Sequence, residues 1–176
     1  MKLSIAAVIA VTLLVASHRA ARADDAETIG IAQDWWQALV RNDGTLAAPT
    51  KKAPLQYGVF PYAGDSCGAF EKKRVDKVTS AKGFEPLAKC LLEALAGEGG
   101  KPELTWEPSD VDSLEIGFDY DRKLLKKVRK AARKLTIVSL EIAGTDTGDN
   151  AAVHVFFGVD KKGAVKGVFM YVDSAN

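Results

Sequence analysis

The fold is decided by the stretch from Leu135 to Val172, which reads LTIVSLEIAGTDTGDNAAVHVFFGVDKKGAVKGVFMYV. Apolar residues, many of them β-branched or aromatic, alternate with other residues over 137–142, 152–159 and 167–172, and a period of two is typical of β-strands. The intervals between these runs are rich in Asp, Asn, Thr, Lys and Gly, which favour turns. Because short turns join strands that run in opposite directions, the stretch predicts a three-stranded antiparallel meander.

Both faces of the predicted meander carry hydrophobic side chains. One set of alternating positions, which includes Val138, Val155 and Met170, is almost entirely apolar. The opposite set would be polar if it faced water, but it also contains bulky apolar residues. We therefore expect helices on one face, and a second layer, a partner or a pocket on the other. The bulky residues of the second set are Ile137, Phe156, Phe169 and Tyr171.

Residues 1–23 have the pattern of a cleavable signal peptide. Lys2 precedes a largely apolar run of 14 residues, which is short for a transmembrane helix, and Ala21 and Ala23 supply a small-x-small cleavage site. We predict that residues 24–176 are exported to the periplasm or secreted. No second apolar run of spanning length follows, so the mature chain is not expected to be transmembrane.

The mature chain is expected to form a single domain. Its 153 residues are enough for one hydrophobic core, and it shows no internal repeat. It carries 21 basic and 23 acidic side chains. A nearly neutral, exported chain is a poor candidate for a nucleic-acid binder, so we expect no nucleic-acid partner.

The two cysteines, Cys67 and Cys90, are predicted to form a disulfide, because thiols oxidise in exported proteins. The rival interpretation is a thiol nucleophile or a pair of metal ligands. The mature chain has one histidine, His154, and its cysteines lack C-x-x-C spacing, so we expect no metal and no cofactor.

Helical spacing of apolar residues predicts three helices outside the meander, over 24–42, 83–96 and 121–134. The helix over 121–134 has a narrow apolar stripe surrounded by cations. It is either an outer helix whose stripe docks on the sheet or a basic amphipathic helix that attaches to an anionic surface. The residues expected to bind such a surface are Lys126, Lys127, Lys130 and Arg133. We also predict extended chain over 54–61, helix over 70–78, and strands over 104–106 and 114–120.

Helices that precede and cover an antiparallel sheet make an α+β domain. The segment Trp35-Trp36-Gln37-Ala38-Leu39, its exit Asn42-Asp43-Gly44-Thr45-Leu46, a further helix and a closing meander together resemble the NTF2-like (SnoaL/ketosteroid-isomerase-like) superfamily. A cystatin-like arrangement would give a similar pattern. The resemblance implies N-terminal helices on a curved antiparallel sheet, cone-like in outline, with a cavity between them. It does not choose a function, since members include isomerases, hydrolases, dehydratases and non-catalytic binding modules.

Enzymes of that superfamily need a carboxylate base and hydrogen-bond donors in a dry pocket. The candidate catalytic residues here are Asp34, Asp43 and His154, and each also has a structural interpretation, such as a turn residue for Asp43. Nucleotide-binding loops, H-E-x-x-H and an EF-hand loop are absent from the sequence. The candidate binding residues are the aromatic side chains Trp35, Trp36, Tyr57, Tyr62, Phe156, Phe169 and Tyr171.

The sequence therefore favours an exported α+β domain that binds a small apolar ligand or a protein partner, without a recognisable catalytic motif. A homodimer through the sheet is one form that such a partner could take. The alternatives are an isomerase- or dehydratase-type enzyme with a carboxylate base, and attachment to an anionic surface through the helix at 121–134.

Overall fold

The computed structural model describes residues 24–42, 48–60, 65–93, 102–114, 121–143 and 152–173, together with residues 46 and 95. The signal peptide predicted at 1–23 lies outside them, as do Asp43 and Tyr62.

The described residues form three helices, a 3-10 helix and six strands, which confirms the α+β class. Helix α1 occupies residues 24–41, and the 3-10 helix occupies Asp65–Phe70. The remaining elements are β1 (Leu55–Val59), β2 (Val75–Val78), α2 (Ala81–Glu93), β3 (Glu103–Ser109), α3 (Arg122–Ala132), β4 (Thr136–Ala143), β5 (Ala152–Val159) and β6 (Val165–Asp173).

The six strands form one mixed sheet in the order β2-β1-β6-β5-β4-β3. The meander β4-β5-β6 is confirmed, with antiparallel registers such as Val155 opposite Met170. The expectation of a wholly antiparallel sheet is wrong at one place, because β1 runs parallel to β6, with Gln56 opposite Gly167. Parallel neighbouring strands need a long connection. Here the connection runs from the end of β1 at Val59 to the start of β6 at Val165. No local turn signal in the sequence therefore marks the pairing of β1 with β6.

Two local predictions differ from the structure. The helix predicted over 70–78 is wrong, since residues 75–78 form strand β2, whose Val78 lies opposite Leu55 of β1. Pairing with β1 and burial of Val78 in the core outweigh a weak helical pattern. The strand predicted over 114–120 lies outside the described residues except for Leu114, which is helical and fully buried.

Helix α2 begins two residues before its predicted start. The Ser80 side chain caps it, because its Oγ accepts a hydrogen bond from the Gly83 amide at 3.2 Å. Pro86 therefore lies inside the helix, beyond the first turn. There its missing amide hydrogen leaves one helical hydrogen bond unmade.

A disulfide joins the 3-10 helix to α2. Cys67 and Cys90 are bonded with an S–S distance of 2.02 Å, and both residues are almost completely buried. The predicted pairing is confirmed. None of the described helices is long and apolar enough to cross a bilayer.

The main core lies between the first face of the sheet and helices α1 and α2. Its centre is Phe157 of β5, which is fully buried. The rings of Trp35, Trp36 and Trp106 lie 5.7, 6.0 and 5.5 Å from the Phe157 ring, measured between centroids. All three tryptophans of the sequence therefore pack around one phenylalanine.

The second face of the sheet is covered in part by α3. The helix starts at Asp121, whose side chain accepts hydrogen bonds from the amides of Lys123 (2.9 Å) and Leu124 (3.0 Å). Its apolar stripe is buried against Phe156, Phe169 and Tyr171 of the sheet. Of the options left open for this face, the structure shows a second layer. The buried stripe consists of Leu124, Leu125, Val128 and Ala132.

Gly58 of β1 permits this close approach of α3. A Cβ atom at Gly58 would lie 3.0 Å from Cδ1 of Phe169 and 3.2 Å from Cγ2 of Val128, which leaves no room for a side chain. A lone glycine inside a strand is the sequence signal for such an approach.

We expect Gly58→Val to lower the free energy of unfolding by about 2 kcal/mol, because overpacking forces α3 away from the sheet. Chemical denaturation measures this change. The matched control is Gly68→Val, since a Cβ at the exposed Gly68 meets nothing within 4 Å. An equal decrease in the free energy of unfolding in the two variants would show that the destabilisation comes from the change in backbone freedom and not from displacement of α3.

Candidate functional site

A groove of about 450 Å³ opens beside α1 at the end of the sheet where the β5–β6 turn lies. One wall is α1, another is the segment 48–54 that leads into β1, and the floor includes Phe84 of α2 and the start of β6. We call it the α1 groove. Its lining residues are Ile31, Asp34, Trp35, Ala38, Leu46, Ala48, Pro49, Ala53, Pro54, Leu55, Phe84, Gly163, Ala164, Val165 and Lys166.

The α1 groove is apolar apart from two opposite charges. Of its fifteen lining residues, thirteen are hydrophobic, proline or glycine, and the others are Asp34 and Lys166. Asp34 is exposed and Lys166 is half-buried, so both charges keep contact with water. Such a lining suits an apolar molecule whose polar end stays near the rim.

Adjacent tryptophans on α1 take different roles. Trp36 is buried in the main core, whereas Trp35 is half-buried and lines the groove. Trp35 is held in place by edge contacts with Phe84 and Phe157, at centroid distances of 6.1 and 5.7 Å. Trp35 is thus the one tryptophan whose ring can meet a ligand in this groove and still be fixed by the core.

The segment 48–54 keeps its shape through its own hydrogen bonds. The Thr50 amide donates to the Ala53 carbonyl at 3.0 Å, and the Ala53 amide donates to the Thr50 hydroxyl at 3.0 Å. This wall could not be identified from the sequence, because short runs of Ala and Pro are ordinary in loops.

Tyr57 and Phe169, both candidate binding residues, lie in the cores. The Tyr57 ring packs on Phe70 at 5.1 Å, and its hydroxyl donates to the Lys73 carbonyl at 3.1 Å. Burial raises the pKa of the Tyr57 phenol, and the nearby Asp76 carboxylate adds to this rise in pKa. Phe169 is fully buried under α3. Neither side chain lines the α1 groove.

A second, more polar groove of about 260 Å³ lies on the second face of the sheet, near β3. Thr105, Glu141, His154 and Tyr171 are cross-strand neighbours there and form one row across four strands. The His154 and Tyr171 rings stack at 4.8 Å, and Phe156 stacks on Tyr171 at 5.8 Å. We call it the sheet groove.

An imidazole between a carboxylate and a phenol has the groups that proton transfer requires. Glu141 is exposed, however, so its carboxylate is in water and not in a dry pocket. A carboxylate base acts best when it is partly desolvated. The sheet groove therefore fits hydrogen bonding to a polar ligand better than proton abstraction.

The four cations predicted for anionic-surface binding lie at the surface of α3. Lys126, Lys127, Lys130 and Arg133 are all exposed, and Lys127 and Lys130 also line a groove with Asp76 of β2. Among the described residues, no group of three or more His, Cys, Asp and Glu side chains is placed to hold a metal ion.

Comparisons with protein-family models, with curated proteins and with solved structures found no match. Function is therefore inferred from the geometry of the described residues.

Proposed function

We propose that the chain is an exported binding domain that holds a small, largely apolar ligand in the α1 groove. The observation that carries this proposal is the groove lining, in which thirteen of fifteen residues offer no charge and Trp35 provides an aromatic wall. Its volume of about 450 Å³ falls within the range of small-molecule sites in proteins, roughly 300–1,000 Å³.

The walls of the groove rest on parts of the chain that are already packed. Ala32, Trp36 and Leu39 anchor α1 in the main core, and Phe84 lies on a helix tied down by the disulfide. A site that is formed before binding loses little conformational entropy when a ligand enters. This supports a binding role, because burial of apolar surface of the ligand and the groove favours binding, and no part of the protein has to become ordered first.

An enzymatic role for this groove has less support. Asp34 is exposed, and none of the described lining residues is a tyrosine or histidine. Its carboxylate therefore lacks both the desolvation and the hydrogen-bond partner that a catalytic base uses. Export and the likeness to NTF2-like domains remain predictions from sequence; the buried disulfide is compatible with an oxidising compartment.

Filling the groove tests the proposal. We expect residues 24–176 to bind 1-anilinonaphthalene-8-sulfonate with one-to-one stoichiometry. Ala53→Phe should weaken this binding at least about tenfold, because the added ring takes up apolar space that contributes roughly 1.4 kcal/mol or more to dye binding. Isothermal titration calorimetry measures the stoichiometry and the dissociation constant.

The matched control is Ala69→Phe, which adds the same ring at an exposed position of the 3-10 helix. This variant should bind the dye as the wild type does. Unsaturable binding by the wild type, or equal affinity in the Ala53→Phe variant, would refute the groove as the binding site.

A further inference from the structure

Positive charge is concentrated in one part of this chain. Residues 122–134 hold eight of the 21 basic side chains of the mature chain and no acidic one. The rest of residues 24–176 carry 13 basic and 23 acidic side chains, so the remainder of the domain is strongly negative. A segregation of this size gives the molecule one face that attracts anions and another that repels them.

The fold presents these cations together. Successive residues of an α-helix are about 100° apart, which puts five of the six basic residues of α3 within an arc of about 140°, and Arg133 and Lys134 follow directly after the helix. The arc is opposite the buried stripe that contains Leu124 and Val128, and all seven residues are exposed. Arg129 is the exception, since it is half-buried and reaches Asp112 at 3.5 Å. We call the seven residues the basic ridge: Arg122, Lys123, Lys126, Lys127, Lys130, Arg133 and Lys134.

No carboxylate among the described residues forms an ion pair with the basic ridge; the ion pairs found there involve Lys73, Lys89 and Arg129. The Asp76 carboxylate lines a groove beside Lys127 and Lys130, but its ion pair is with Lys73.

Strand β2 widens the positive surface beyond the helix. Val75 packs against the α3 cluster, and Lys77, two residues further along the same strand, shares its face and is exposed. A lysine on an edge strand, such as Lys77, also discourages pairing with other sheets. The cations of α3 have no such role, because they are not on a strand. Together, the helix and the strand make a surface two elements wide.

We propose that the basic ridge and Lys77 dock the protein on an anionic lipid bilayer by charge alone, without insertion into the acyl region. The apolar stripe that an interfacial helix would insert is already buried against the sheet. Because the cations are spread over a helix and a neighbouring strand, they match a two-dimensional array of headgroups more fully than a linear polyanion. This docking does not depend on the α1 groove, which lies beside α1.

Vesicle sedimentation of residues 24–176, which contain every described element, tests the proposal. We expect binding to phosphatidylcholine vesicles that contain phosphatidylglycerol at low salt, no binding to pure phosphatidylcholine, and loss of binding at high salt. The variant K126Q/K127Q/K130Q/R133Q should reduce the partition coefficient roughly tenfold or more.

The matched control is K51Q/K52Q/K161Q/K162Q, which removes four exposed positive charges away from α3. Its vesicle binding should fall much less than that of the ridge variant, and K77Q should weaken binding by a smaller factor. Circular dichroism and thermal unfolding establish that each variant is folded.

Three results would overturn the proposal. An equal loss in the control variant would show that net charge, and not the ridge, governs binding. A rise in lipid monolayer pressure on protein addition would show insertion. Tighter binding to heparin or to DNA than to the vesicles at the same salt concentration would assign the ridge to a linear polyanion.

Discussion

Phe157→Ala is expected to lower the free energy of unfolding by about 4 kcal/mol and to change the environment of all three tryptophans. Phe157 is fully buried, and its ring is in contact distance of Trp35, Trp36 and Trp106. Removing the ring leaves a cavity that these larger side chains cannot fill without moving. Denaturant unfolding measures the stability, and tryptophan emission of the folded variant reports the cavity as a shift to longer wavelength.

Phe169→Ala is the matched control, because Phe169 is equally buried in the same sheet but packs in the cluster under α3. It should destabilise the protein to a similar extent and leave the emission of the folded state nearly unchanged. If both variants shift the emission equally, or if Phe157→Ala loses less than about 1 kcal/mol, the tryptophan cluster is not organised around Phe157.

Replacing both Cys67 and Cys90 by alanine is expected to lower the free energy of unfolding by about 3 kcal/mol. The bond joins residues 23 positions apart, and opening it enlarges the set of conformations available to the unfolded chain. The loss should appear as a lower midpoint in thermal and denaturant unfolding. It should also loosen the attachment of α2, whose Phe84 forms part of the α1 groove.

Reduction of the wild type provides the control for this double variant. Dithiothreitol should destabilise the wild type by nearly the same amount and leave the double variant unaffected. Two titratable thiols in the folded, non-reduced wild type would contradict the disulfide directly.

Only part of the lining of the α1 groove was predicted from the sequence. Asp34 and Trp35 were selected from the sequence as a catalytic and a binding candidate, and the structure places both in the groove lining. The opposite walls, at 48–54 and 163–166, belong to loop and strand-end segments with no distinctive residue pattern. Their position depends on the parallel pairing of β1 with β6, which joins residues more than a hundred positions apart.

Local patterns alone determined the meander, the three helices and the disulfide. Strand and helix periodicities depend on neighbouring residues, and the export predicted from residues 1–23 made oxidation of a single cysteine pair the expected outcome. The same patterns showed that both faces of the sheet must be covered, because Phe156 and Phe169 could not remain in water.

Tertiary structure alone decided what covers the second face. The sequence left α3 with two roles, docking on the sheet or lying on an anionic surface, because an apolar stripe opposite a cationic arc is common to both. Gly58 leaves space for Val128 against Phe169, so the stripe is buried and only the cations remain outside. That choice depends on contacts between residues distant in sequence, which no local pattern contains.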